Sequence, residues 1–291
     1  FPILPATAAN LVRLQFAPEG QIAALAGQLT GTRFPAGRVE PEQIATNEGI
    51  AFRYAPFPEE FDGILLHEAG RFFIVCNDRV SARGSPRSRF TFAHELGHYF
   101  LADHRRALVA GDWPTHYSRV EFRSESPVEM EADLFASNLL LPAASFRAAA
   151  AAQPGPGLAR IAALAATFGT SVTATAYRAL GLELFPAPAA VFRWNQLGAP
   201  AGRRMSDATA RLGHDYCGLA GRPPGDSATA RAIAELAFDS RQGSAPAMDW
   251  FPKLSGYRPG DQRFLHEEVM SLGDHGWLTL VHREDRSQPG T

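Results

Sequence analysis

The sequence predicts an α+β protein of more than one domain, on three observations. Two β-rich runs, Gly63–His67 and Arg71–Cys76, flank a turn containing Gly70 and lead into a helical stretch carrying H-E-L-G-H. A second long helical stretch follows, opened by Ser126-Pro127 and stopped by Pro142. Beyond Pro186 and Pro188 the pattern returns to strands, and 291 residues is too long for one small core.

Taken in order, helical stretches are expected around 18–30 and 41–48, then a strand from Ile50 to Tyr54 and the hairpin. An arginine-rich loop with Arg79, Arg83, Arg87 and Arg89 leads into the motif helix, where Ser85 supplies an N-cap hydroxyl and Pro86 suits the first helical position. The next helix runs from Ser126 to Leu141. After an alanine- and proline-rich stretch, 148–156, two short helices at 157–168 and 171–180 are separated by Gly169, with Ser171 as a cap. That is helix-turn-helix spacing. Strands at 190–194 and 276–283 and a helix at 228–238 then read as a small α+β domain. The expected organisation is therefore a motif-bearing domain over 1–150, a helical segment over 151–185 and a C-terminal domain over 186–291.

Composition excludes several function classes. Hydrophobic residues at 45% and charged residues at 20% are an ordinary globular balance. A formal net charge of −2 gives no global field toward nucleic acid. The cysteines, Cys76 and Cys217, are too few for a disulfide framework and suit a reducing compartment. No apolar run reaches the roughly 18 residues of a membrane span, and the first dozen residues lack the features of a secretory signal. A cytoplasmic protein without a membrane partner is expected.

The chemistry concentrates at His94, Glu95 and His98. On a helix the two histidines lie about 40° apart on one face and roughly 6 Å apart along the axis, so both rings can reach one Zn²⁺. Glu95 sits about 100° round, placed to hold the attacking water without ligating the metal. A chance match on an amphipathic helix is the bland alternative, and the cap signals and the preceding hairpin argue against it. Zinc polarises a carbonyl and brings the pKa of water to about 7, and Glu95 would carry the proton. Tyr99, Tyr117, His104 and His116 are candidates for stabilising the oxyanion, and strand 71–77, as an edge, could hold an extended peptide.

A third ligand is needed. His104 stands six residues after His98, but Leu101 occupies the position where a glycine would break the helix. A continuing helix carries His104 about 9 Å further on and to another face. The run E-S-P-V-E-M-E-A-D offers Glu125, Glu129 and Glu131 instead. Glu129 has Asp133 four residues on, on the same face, where it can accept the outer N–H of a ligating histidine. Ala132 and Ala136 flank that face and allow close helix approach. Glu125 falls before the helix, and Glu131 points about 200° away. Glu129 also fits a capping box with Ser126.

These residues resemble a known family. R-S-R-F-T-F-A-H-E-L-G-H followed by E-M-E-A-D-L-F-A-S-N-L-L-L-P is similar to the ImmA/IrrE group of metallopeptidases. The resemblance covers roughly residues 40–180 and implies a zincin-like metallopeptidase domain with a helix-turn-helix-like extension. It implies His94, His98 and Glu129 as zinc ligands and Glu95 as the catalytic residue. The C-terminal domain sits where IrrE-like and CapP-like members carry a small GAF-like sensor domain. Such proteins cleave a helix-turn-helix repressor and so derepress stress, DNA-damage or anti-phage genes. Their signal would be a small molecule or single-stranded DNA.

A competing reading is a DNA-binding regulator with a structural zinc. Against it, residues 157–181 offer only Arg160 and Arg178 as cations. A helix pair packed under the peptidase core is the simpler expectation. The Arg79–Arg89 loop is either solvated or a contact for substrate or nucleic acid. Cys76 reads as a packed thiol. Arg203, Arg204 and Arg211, with Trp194 and Tyr216, could pair phosphates and stack bases, or form a solvated face.

Overall fold

A computed structural model describes residues 17–31, 34, 38–58, 61–112, 117–118, 126–153, 157–211, 222–251 and 263–283. It divides into two compact units, Phe1–Ala149 with Ala165–Ser171, and Ala150–Leu164 with Val172–Thr291. The segment 151–185, expected as one helical extension, is shared between them. The expectations on His116, Glu125, Tyr216 and Cys217 lie outside the described residues, as does the side chain of Tyr117.

The first unit opens with helices α1 (Glu19–Gly31) and α2 (Pro41–Asn47) and strands β1 (Ala51–Ala55), β2 (Gly63–Glu68) and β3 (Arg71–Asn77). Ala69 and Gly70 both take positive φ, 49° and 74°, which closes β2 and β3 with the two-residue loop whose twist matches the strands. Helices α3 (Pro86–Phe100) and α4 (Ala102–Ala110), the short strand β4 (Tyr117–Ser118), α5 (Pro127–Leu140) and α6 (Ala143–Ala152) follow. The sheet order is β1-β3-β2-β4, with β1 parallel to β3 and the other pairs antiparallel. Strand β3 is therefore central, not the expected edge. Its run Phe-Phe-Ile-Val buries Ile74, Val75 and Cys76 and pairs on both sides. Among the described residues, β2 carries no strand on its outer side beyond Ile64.

Helices α3 and α5 meet at unusually short range. A Cβ on Gly97 of α3 would lie 3.1 Å from the Ala132 Cα and 3.2 Å from its carbonyl oxygen on α5. Hydrogen at Gly97 and methyl at Ala132 thus let the two backbones touch. Around this contact Ile22, Ile44, Leu65, Ile74, Phe92, Leu96, Phe135 and Leu139 form the core.

The arginine loop is spent on structure. Ser85 caps α3 by accepting the Ser88 N–H at 3.2 Å. Arg87 forks onto buried Asp62 at 2.7 and 3.0 Å, Arg83 stacks over Tyr54, and buried Arg89 holds Glu40 at 2.8 Å and the Gly169 carbonyl at 3.1 Å. Of these three side chains only Arg89 is buried, and Arg83 and Arg87 stay exposed while making their contacts, as the solvated reading of the loop has it. Cys76 sits in the core with its thiol pushed up chiefly by burial and next by Glu95, an inert state.

The second unit contains α7 (Gly157–Phe168, shared with the first unit), α8 (Val172–Gly181), β5 (Ala189–Trp194), β6 (Pro200–Met205), α9 (Asp207–Arg211), α10 (Ala228–Ala234), β7 (Arg241–Pro246), α11 (Ala247–Trp250), β8 (Phe264–Ser271) and β9 (Trp277–His282). The five strands form an antiparallel sheet in the order β6-β5-β9-β8-β7. Helix α8 packs on β5 and β6 and buries Thr173, Thr175, Ala176, Ala179 and Leu180, so it lies on this sheet. Trp194 is 1% exposed, packs on Phe192 and Trp250, and donates to Thr279 Oγ1 at 3.0 Å, so it cannot stack a base. No single helix among the described residues is long and apolar enough to cross a membrane.

The Gly97 contact makes a direct prediction. Gly97→Leu should destabilise the first unit by about 1–3 kcal/mol through overpacking against Ala132. Gly27→Ala on α1, whose Cβ would meet nothing within 4 Å, should stabilise by roughly 0.5–1 kcal/mol. Thermal melts of both variants check the contrast, and equal melting of Gly97→Leu and the parent would contradict it.

Candidate metal centre

The packing of α3 on α5 brings three metal-competent side chains together. His94 Nε2 and His98 Nε2 lie 3.0 Å apart, and the Glu129 carboxylate is 3.2 Å from the first and 3.5 Å from the second. Such separations are close to the roughly 3.4 Å edges of a tetrahedron whose bonds are about 2.1 Å, the length typical of zinc with nitrogen and oxygen. All three residues are buried. Ser126 stands at the N-cap of α5 without a side-chain capping hydrogen bond of its own.

The outer nitrogens decide what the inner ones can do. His94 Nδ1 is 2.8 Å from Asp133 Oδ1, so it donates there and presents Nε2 inward. His98 Nδ1 is 3.1 Å from His104 Nδ1, and His104 Nε2 is 2.9 Å from Glu131 Oε2. A carboxylate only accepts, so His104 donates from Nε2 and receives at Nδ1. His98 then donates from Nδ1 and turns the Nε2 lone pair toward Glu129. Burial holds His104 below its ordinary pKa, against the pull of Glu131, which keeps that ring neutral.

Two inward nitrogens facing one carboxylate call for a positive charge between them. A proton on His94 is one such charge. Burial opposes charge on His94, but the Asp133 and Glu129 hydrogen bonds and the Glu95 charge outweigh it and push its pKa up to about 10. A metal ion at the same point displaces that proton. The donor set, two imidazoles and a carboxylate, fits zinc.

The structure sets His104 where the sequence argument did not. Helix α3 ends at Leu101, whose φ of −72° and ψ of 112° are extended, and α4 restarts at Ala102. The break swings His104 back onto His98 without a glycine, and it orients a ligand without joining the three. Glu131 points away from Glu129 as its phase requires, yet it anchors His104 and also accepts the Ala17 N–H. The pairing of His104 with Glu131 was missed. The six-residue offset of His104 from His98 was its visible signal, and the bend at Leu101 was not readable.

Glu95 is fully buried on the neighbouring face of α3. A Cβ on Gly63 would lie 2.9 Å from Glu95 Oε1 and 2.6 Å from Thr91 Cγ2, so only glycine lets β2 pass this close. The Arg87–Asp62 fork pins the start of β2 to α3 at the adjacent residue. Tyr99, one oxyanion candidate, packs on Phe72 and under Arg105.

Residues 45–180 match the family model of the Peptidase_M78 IrrE N-terminal-like domain. A solved Mycobacterium tuberculosis transcriptional regulator is similar to the chain, with a TM-score of 0.57 and 16% identity over 91% of this chain and 76% of that one. At that identity the likeness concerns the fold. No curated protein matches in sequence. All three metal-competent residues, and Glu95, fall inside the matched residues 45–180.

Replacing His94, His98 or Glu129 with alanine should remove one zinc equivalent per chain relative to the parent, measured by elemental analysis after gel filtration. Asp133→Ala and His104→Ala should keep that zinc but weaken it about 10–100-fold in chelator competition. Unchanged affinity in both would show that the outer hydrogen bonds do not orient the ligands.

Proposed function

We propose that this protein is a zinc-dependent endopeptidase that cleaves a helix-turn-helix repressor and so derepresses stress, DNA-damage or anti-phage genes. The observation that carries the catalytic part is the buried convergence of His94, His98 and Glu129 beside Glu95. The repressor as substrate rests on the resemblance to the ImmA/IrrE group. A cytoplasmic location follows from the same reading.

When bound, zinc supplies Lewis acidity, polarising the scissile carbonyl and making water acidic near neutral pH. The chain's own groups do the rest. The Glu95 carboxylate takes a proton from the attacking water as its oxygen bonds to the carbonyl carbon. As the C–N bond breaks, Glu95 returns that proton to the leaving amine and is again a carboxylate. The outer side of β2 from Leu65 to Glu68, which pairs with no strand among the described residues, would offer main-chain groups to an extended peptide, the role first expected of β3.

The alternative, a DNA-binding regulator with a structural zinc, is the reading that the name of the mycobacterial structure favours. Structural zinc sites are closed by four protein ligands, usually thiolates, whereas three ligands of histidine and carboxylate type suit catalysis. The second unit, read as a GAF-like sensor, would take the activating small molecule or single-stranded DNA. With Trp194 buried, a DNA mode would rest on exposed Arg203 and Arg204 of β6, since Arg211 pairs with Glu183 at 2.6 Å.

Incubation with the helix-turn-helix repressor encoded beside its gene, read by mass spectrometry of the fragments, tests the proposal. Glu95→Gln should keep its zinc and lose about 10²–10⁴-fold in cleavage rate. Full cleavage by that variant would sink the role of Glu95 and favour the structural metal.

A further inference from the structure

A second constellation stands on the sheet of the second unit. Strands β8 and β9 pair antiparallel with His266 directly opposite His282, so their rings share one face, centroids 5.3 Å apart. Glu268 follows His266 by two residues on β8 and projects from that same face. The ligand-capable atoms of the three all lie within 4.8 Å of one another.

The carboxylate has the hallmarks of a ligand. Glu268 is 4% exposed, and a glutamate is almost never buried without a partner. Its Oε2 accepts the Leu158 N–H at 2.8 Å, in the first turn of α7. Its Oε1 accepts no hydrogen bond from the described residues. That oxygen lies 3.4 Å from His266 Nε2, long for a hydrogen bond and equal to the edge of a tetrahedron with bonds of about 2.1 Å. Gly157 makes room above it, since a Cβ there would fall 2.6 Å from Oε1.

The second histidine is set up by its backbone. His282 Nδ1 is 2.8 Å from the Arg283 carbonyl oxygen, which only accepts. Nδ1 therefore carries the proton and Nε2 the lone pair. A ligating imidazole is commonly fixed by an outer N–H to a backbone carbonyl in this way. A simple His266–Glu268 ion pair would leave the convergence of His282 without a role.

We propose that His266, Glu268 and His282 form a second zinc site, with two imidazoles and one carboxylate as protein ligands and a fourth position for water or another ligand. The site is independent of the first one and of the peptidase reading. Through the two oxygens of Glu268 the ion would tie β8 and β9 to the start of α7.

The test uses the full chain with His94→Ala and His98→Ala, which removes the first site. Loaded with zinc and passed through gel filtration, it should retain about one zinc per chain, and adding His282→Ala should reduce this to none. Cobalt should give the visible absorption of a low-symmetry site in the first protein and none in the second. Glu268→Gln keeps size and the acceptor for Leu158, so it guards against misfolding. It should lose the metal while circular dichroism stays unchanged, and hydrogen exchange at Leu158 should slow on zinc addition only with Glu268 intact. No retained zinc in the His94→Ala, His98→Ala chain would overturn the proposal, as would undiminished zinc in its Glu268→Gln derivative.

Discussion

The close approach of α3 to α5 is the constraint on which the candidate metal centre depends. One turn of α3 presents His94 and His98, and one turn of α5 presents Glu129. They face each other because Gly97 and Ala132 let the backbones come within contact distance. A larger residue at either position would push Glu129 outward by the thickness of a side chain. Since metal–ligand bonds tolerate errors of only about 0.2 Å, that shift would separate the ligand set.

Electrostatics completes what packing begins. Each histidine is backed by a carboxylate, His94 directly by Asp133 and His98 through His104 by Glu131. The first link comes from the same turn of α5 that supplies Glu129. The second uses the bend at Leu101 to bring α4 back over α3. Burying this much polar surface is costly unless every group is oriented, and the hydrogen-bonded chain does that orienting. On the far side, buried Arg89 ties α3 to Glu40 and Gly169, and Arg87 ties it to Asp62. The N-terminal turn of the motif helix is therefore tied down while its metal face stays buried.

Much of this was legible in the sequence because it follows helical phase. The four-residue spacing of His94 and His98, the phase of Glu129 and Asp133, and the Ser85-Pro86 cap all depend on local geometry alone. What was not legible depends on tertiary contact. The position of β3 inside the sheet depends on β1 pairing from far away in sequence. The return of His104 depends on a backbone break at Leu101 that no glycine announces. In the second unit the sequence pattern did not mark β6, β7 and β8, whose segments carry Pro200, Gly202, Gly243 and the adjacent acids Glu267 and Glu268. Glu267 is nevertheless fully buried and accepts the N–H groups of Ala228 and Thr229, and Glu268 faces two histidines. Trp194, grouped with Arg203 and Arg204 as a possible stacking surface, is instead part of the core.

The most direct measurement is anomalous difference density at the zinc edge from crystals of the purified chain. The account requires a peak between His94 Nε2, His98 Nε2 and the Glu129 carboxylate, with His104 and Glu131 outside bonding distance of the metal. A peak on His104 or Glu131, or none between α3 and α5 in zinc-loaded crystals, would contradict it.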